Sequence, residues 1–276
     1  MREIKLVNNE GKEFDLTRPD ACLQDISGIG MEIEFETVRI GQCDVVVDEQ
    51  PQYNPVSGMI PFMDMEPYTE FLQFIAKRPI TLAYKPKNAW YFTSVRVSVV
   101  EKEEITPVDE YAETDVDFYR LGPWYSTLRA EPYGGDTQRP KRYDYTYPYC
   151  YVDSTAPGIL IGNPGKQQSP CTIEIFGPAV NPKWALMQKG TEIASGAVTT
   201  EIKEGQKLVV RSEADRLEIA IYTTENEWVE DAYQQSDFST ARFIYAPPGE
   251  STLKFSHEGS QEINVSVEVR AYYEAV

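Results

Sequence analysis

The spacing of apolar residues changes along the chain, and each change marks an element. Between residues 64 and 79, Tyr68, Phe71, Leu72 and Ile75 recur at helical spacing, which predicts one amphipathic helix. Asp64 or Glu66 is placed to cap its free N–H groups, and Pro67 suits its first turn. Lys77 and Arg78 sit at the negative end of its dipole, and Pro79 is expected to stop it. The period then falls to two. Residues 80–84 and 90–99 read as strands joined by a turn at 86–88, and residues 4–16 read as an opening hairpin around Asn-Asn-Glu-Gly. Residues 31–36 alternate strictly. Met31, Ile33 and Phe35 are therefore expected to face a core, with Glu32, Glu34 and Glu36 facing outward. Residues 50–58, with two prolines and a glycine, suggest a loop of some length.

The last third of the chain is β throughout in its pattern. Strands are expected at residues 172–176, 184–188, 197–202, 207–211, 217–222, 242–245, 252–256 and 263–272, a spacing typical of an antiparallel sandwich. The polar stretch 224–236 is expected to be a loop that carries Trp228 and Tyr233, either as contact residues or as a plug over the sandwich end. Glycines and prolines over residues 157–170 read as a domain boundary. The 276 residues are enough for two cores. The expected fold is mainly β, with an α+β domain over residues 1–155, built as one short helix on a sheet, and a sandwich domain over 156–276.

Charge narrows the range of partners. With 44 acidic residues against 26 basic ones, the net charge is −18, which disfavours nucleic acid and anionic membrane surfaces. Glu32, Glu34 and Glu36 on one strand face repel one another unless water or a basic partner lies opposite, so they mark either a solvated face or a docking surface. The densest acidic run spans residues 101–117 and is answered only by Lys102. Asp115 and Asp117 within it share a strand face and can hold a hard cation. The EF-hand glycine is missing, however, and a solvated sheet edge is the plainer reading, so no metal is expected. Tyr143, Tyr145 and Tyr147 belong to a stripe with a tyrosine at every second position through Tyr151. Such a stripe is core, interface or sugar platform, and Pro148 confines it to an edge or irregular strand.

Catalytic chemistry is thinly represented. His257, the single histidine, stands in a turn-like Ser-His-Glu-Gly without a nucleophile and an orienting residue nearby. Gly28-Ile-Gly30 lacks the third glycine of a dinucleotide fingerprint, and no phosphate loop or nucleophile elbow is present. Four cysteines without a Cys-x-x-Cys pair read as reduced, packed thiols. No cofactor and no enzymatic activity are expected, and a two-carboxylate hydrolase ranks last among the readings. The N-terminus runs directly into polar sequence, and no stretch approaches the roughly 18 apolar residues of a membrane span. Synthesis in a cytoplasm without membrane insertion is the expectation.

One ordered series of short motifs points further. It comprises the opening hairpin, Gly28-Ile-Gly30, Gly58-Met-Ile-Pro-Phe62 leading into Tyr68-x-x-Phe71-x-x-Phe74-Ile75, Leu82-Ala-Tyr-Lys-Pro86, and Gly122-Pro-Trp-Tyr125. In this order they resemble the distal tail protein family of long, non-contractile-tailed phages and prophages of Gram-positive bacteria. The block Cys171-Thr-Ile-Glu-Ile-Phe-Gly-Pro-Ala-Val-Asn-Pro182 resembles the first strand of that family's galectin-like C-terminal domain. The resemblance implies a homo-hexameric ring at the virion tail tip, assembled in the host cytoplasm. It would join the tail tube protein to the tail-associated tip protein and to receptor-binding or baseplate proteins. It transfers no residue-level site, and the sequence shows no large insertion that would add a carbohydrate-binding module. The candidate interface residues are Glu32, Glu34, Glu36, Tyr143, Tyr145, Tyr147, Trp228 and Tyr233. The alternative is a lectin-like module for host cell-wall glycans, with Trp184, Trp228 and the tyrosine stripe stacking on sugar rings.

Overall fold

The computed structural model describes residues 2–104, 111–130, 158–214, 216–259 and 264–276. They form two compact units, one of residues 1–126 with 273–276 and the other of residues 127–272. Both are mainly β. The expected boundary near residue 155 lies outside the described residues.

The first unit contains strands β1 (Glu3–Val7), β2 (Glu13–Asp15), β3 (Gln24–Ser27), β4 (Glu32–Ile40), β5 (Cys43–Gln52) and β6 (Val56–Phe62). Helix α1 (Met65–Ile75) follows, and then β7 (Ile80–Lys85), β8 (Tyr91–Glu104), β9 (Ala112–Arg120) and β10 (Trp124–Ala130), whose last residues belong to the second unit. Seven strands pair antiparallel in the order β3-β6-β9-β8-β7-β1-β2. Leu23 N–H donates to Leu16 C=O at 2.8 Å, which carries the chain from the β2 edge to the β3 edge and curls the sheet. The helix closes that curl. Phe71 lies 5.4 Å from Phe14 on β2 and 5.6 Å from Phe62 on β6, ring centroid to ring centroid, so one side chain ties one edge strand to the strand next to the other edge.

Asp64 caps α1 by accepting from Glu66 N–H at 3.2 Å. The buried stripe is Pro67, Phe71 and Phe74, with Tyr68 and Ile75 beside it. Leu72, expected on that face, is 38% exposed. Both Leu72 and Phe74 are compatible with the spacing, but the helix is rotated so that the larger ring is covered. The helix ends at Ile75, with Ala76 as its C-cap, before Pro79 is reached.

Two other expectations fail here. The 50–58 loop is short, because β5 extends to Gln52 and β6 begins at Val56. The Asp115 and Asp117 strand is not an edge, since β9 is paired on both sides, by β6 and β8. Its outward face nevertheless stays acidic. Glu101 lies opposite Asp115, and Glu103 opposite Glu113. No group of three or more metal-ligating side chains converges among the described residues.

The second unit contains β11 (Gly158–Asn163), β12 (Ser169–Phe176), β13 (Ala179–Val180), β14 (Lys183–Gln188), β15 (Thr191–Ala197), β16 (Glu201–Ile202), β17 (Gln206–Glu213), β18 (Arg216–Thr223), β19 (Trp228–Asp231), β20 (Tyr245–Ala246), β21 (Gly249–Ser256) and β22 (Asn264–Tyr273). One sheet runs β19-β18-β17-β12-β22 and the other β11-β21-β14-β15. Ile173, Leu208, Ile219 and Val267 from the first sheet share a core with Ile161, Trp184, Leu186 and Leu253 from the second. This is the expected sandwich. Two expectations are corrected. The glycine- and proline-rich stretch after residue 157 contains strand β11, and the supposed loop 224–236 contains β19 and a short 3-10 turn at Tyr233–Gln235.

Candidate interface: the ribbon and its root

Among the described residues, strands β4 and β5 pair only with each other and form a two-stranded ribbon. Gly41 at φ +64° makes the tight turn, which brings Ile40 opposite Cys43. Nine to ten residues per strand give a length of about 30 Å. The expectation that Met31, Ile33 and Phe35 face a core is overturned. Phe35 is 60% exposed and Ile40 64% exposed, and every residue of β4 except the half-buried Ile33 is exposed. Alternation says that two faces differ, but not that either is covered.

The register sorts the ribbon into four patches. On one face, Glu32, Glu34 and Glu36 lie opposite Gln52, Gln50 and Asp48, so the root half is acidic. A bulge follows Glu36, and on the same face the tip half becomes apolar, with Val38 opposite Val45 and Ile40 opposite Cys43. The other face is largely reversed. Its root half pairs Ile33 with Pro51 and Phe35 with Glu49, and its tip half pairs Thr37 with Val46 and Arg39 with Asp44. The apolar surface thus changes sides halfway along. An isolated ribbon of this kind is marginal in water, because neither face is buried.

The root is firmly held. A Cβ on Gly28, at φ +77°, would stand 1.8 Å from Pro55 O, so backbone meets backbone where the ribbon's two strands enter and leave. Gln52 donates to Glu34 at 2.6 Å, and Asn54 donates through its side-chain amide to Glu32. Arg120 is 1% exposed at the end of β9, and its Nε donates to Asn54 C=O at 2.9 Å. Its guanidinium lies between the rings of Tyr53 and Trp124, 5.9 and 5.7 Å from their centroids. Burial pulls the Arg120 pKa below the usual guanidinium value, with Tyr53 acting in the opposite direction. Arg120 Nη1 and Nη2 are buried with no hydrogen-bond partner among the described residues. The sequence carries no signal for this role, since Arg120 reads there as one more strand residue.

The other candidate residues are dispersed. Trp228, 63% exposed, opens β19 in the second unit. Tyr233 is half-buried, 5.6 Å from Phe238 and 6.4 Å from Phe243 between ring centroids, with the Arg242 guanidinium over its ring. It therefore packs against the sandwich core. Trp184 is 2% exposed, donates to Arg242 C=O at 3.0 Å and stacks on Gly196, so it is core and cannot meet a sugar. Tyr143, Tyr145 and Tyr147 lie outside the described residues, as does Cys150. Cys171 is buried, and desolvation pushes its thiol up to about 12. His257 accepts from Gly259 N–H at 3.2 Å, fastening its own turn.

The fold resembles those of solved phage baseplate and hub proteins. Over 100% of both chains it superposes on a chain of the phage P2 baseplate in its activated conformation with Ca, at a TM-score of 0.71 and 12% identity. Over 98% of this chain and 99% of the other it superposes on SPP1 Dit (gp 19.1), described as a paradigm of hub adsorption apparatus in Gram-positive infecting phages, at a TM-score of 0.62 and 14% identity. The family model for the N-terminal domain of distal tail proteins matches residues 3–120. No curated protein sequence matches this chain significantly.

Proposed function

We propose that this chain is a structural hub subunit of a phage tail tip that self-associates into a closed, hexameric ring through its ribbon. The ring joins the tail tube protein to the tail-associated tip protein and carries receptor-binding or baseplate proteins. The observation that carries the reading is the ribbon itself. It is about 30 Å of β-structure with apolar patches on opposite faces, held at a rigid root, and it gains stability only when protein covers both sides. A ribbon on one subunit meeting a different surface on the next is a heterologous contact, the kind that closes rings. The acidic outward face of β8 and β9 suits a ring lumen, because the opposed carboxylates repel a passing DNA strand. The role is architectural and not enzymatic.

Light scattering of the purified protein at low and moderate salt, with negative-stain images of the same fractions, tests the reading. A net charge of −18 per subunit opposes closure most strongly where the Debye length is long, so association should strengthen as salt rises from about 10 to about 300 mM. A ring, or a salt-dependent mixture of monomer and ring, is the expected result. A monomer at every salt and protein concentration would overturn self-assembly through the ribbon.

A further inference from the structure

Three buried hydrogen-bond donors lie close together at the root of the ribbon with nothing to accept from them. Arg120 closes β9 and Trp124 opens β10. The turn between them is pinned to β8, where Leu121 N–H donates to Ser94 C=O at 2.9 Å and Thr93 Oγ1 donates to Gly122 C=O at 3.2 Å. Both side chains are buried, and the guanidinium carbon lies 5.7 Å from the indole centroid. Arg120 Nη1, Arg120 Nη2 and Trp124 Nε1 all lack an acceptor among the described residues. Lys207, the other buried cation among those residues, shows the usual arrangement, with its ammonium 2.7 Å from a Glu174 oxygen. Arg120 has the burial without the carboxylate, in a chain where acidic residues outnumber basic ones 44 to 26.

We infer that Tyr53, Arg120 and Trp124 form a receptor for one carboxylate group, taken end-on by Nη1 and Nη2 and flanked by the indole N–H. The side-on mode is closed, because Nε already donates to Asn54 C=O at 2.9 Å. The two Nη groups serve the two oxygens, and a remaining lone pair accepts from Trp124. Charge and donor number select the class of ligand. One carboxylate balances one guanidinium, whereas a phosphate brings more charge and more oxygens than three donors satisfy, and a chloride cannot use two parallel donors in a fork. The Tyr53 ring, 5.9 Å from the guanidinium carbon, and the Trp124 ring keep the pair dry, which strengthens it. Tyr53 is the wall that moves to admit the acid. It is half-buried and stands in the link between β5 and β6, outside both strands, whereas Trp124 is held within the sheet, 6.1 Å from Tyr84 between ring centroids. A free acid and an acidic side chain of a second copy present the same two oxygens, and the test separates them.

The test uses the full chain labelled with 5-fluorotryptophan and titrated at pH 7 with sodium formate and sodium acetate, against sodium chloride and sodium phosphate at equal ionic strength. The Trp124 fluorine resonance is assigned by its loss in Trp124→Phe, and thermal melts run beside the titration. A saturable shift of that resonance with formate or acetate, and a rise in melting temperature beyond that in chloride, are expected. Both should vanish in Arg120→Met, and the formate affinity read from the melts should weaken at least about tenfold in Trp124→Phe, which keeps the ring and loses the donor. A resonance that does not move, that moves equally with chloride or phosphate, or that moves in Arg120→Met as in the parent would overturn the inference. A shift that appears on concentrating the protein without added acid, and reverses on dilution, identifies a neighbour's side chain as the source. A shift only with added acid identifies a free one. Phe35→Ser on the ribbon should leave the formate titration unchanged, so failure here and failure of the hub reading are separable.

Discussion

Phe35→Ser on the ribbon separates folding from assembly. In the isolated subunit the ring is 60% exposed, so its removal should shift stability by no more than about 0.5 kcal/mol. In the assembled state that exposed fraction is available for burial. A phenylalanine contributes about 200 Å² in all, so about 120 Å² would be covered by a neighbour, worth about 3 kcal/mol at about 25 cal/mol per Å². Each contact should therefore weaken by about 100-fold. Sedimentation velocity over a concentration series reads the association, and a urea melt at low concentration reads the fold. Ile40→Ser at the tip should act independently, because it lies on the opposite face and about 16 Å further along the strand. Association within about threefold of the parent would refute the role of the ribbon. A loss of about 3 kcal/mol or more in subunit stability would instead mean that Phe35 is core.

Other expectations follow from single residues. Gly28→Ala adds a left-handed backbone penalty of about 1–2 kcal/mol to a clash with Pro55 O, so it should destabilise the first unit by at least that amount and speed hydrogen exchange through the ribbon, measured by mass spectrometry. Cys171 has a folded pKa near 12 against an ordinary value near 9. Its contribution to stability is complete below about pH 9 and is lost as pH rises toward 12, about 4 kcal/mol in all, so Cys171→Ala should flatten the alkaline slope of urea-melt stability. Cys43 is exposed at the ribbon tip while Cys171 is buried. A maleimide should therefore label Cys43 in the subunit, slow markedly once the ring forms, and leave Cys171 untouched in both states.

Where sequence and structure agree, local chemistry and tertiary packing demand the same thing. Asp64 caps a helix in isolation and in the fold, and the alternating strands of the sandwich bury the residues that their period assigns inward. The failures share a cause. Periodicity reports that one side of an element differs from the other, but coverage depends on what the rest of the chain brings near. The alternation of residues 31–36 is real, yet nothing covers Phe35. Leu72 and Phe74 lie on opposite flanks of the stripe centred on Phe71, and only the position of Phe14 and Phe62 decides which flank is covered. Trp184 and Trp228 are equivalent as letters. A glycine opposite the first makes it core, and a position at the sheet border makes the second surface. Arg120 was illegible for a related reason, because its partner is the carbonyl of Asn54, and a backbone atom leaves no mark in a sequence.

Among the described residues the ribbon also has two bare edges, since neither strand pairs outward. Such edges invite any passing strand to add on, and a cell making many copies would risk tangled chains before assembly began. Pro51 removes one donor from this ladder, and Glu32, Glu34, Glu36 and Asp48 place like charges where two ribbons would meet on that face of their root halves. On the hub reading, the acidic patch that meets a neighbour in the assembly would also hold free copies apart, one set of side chains serving both ends.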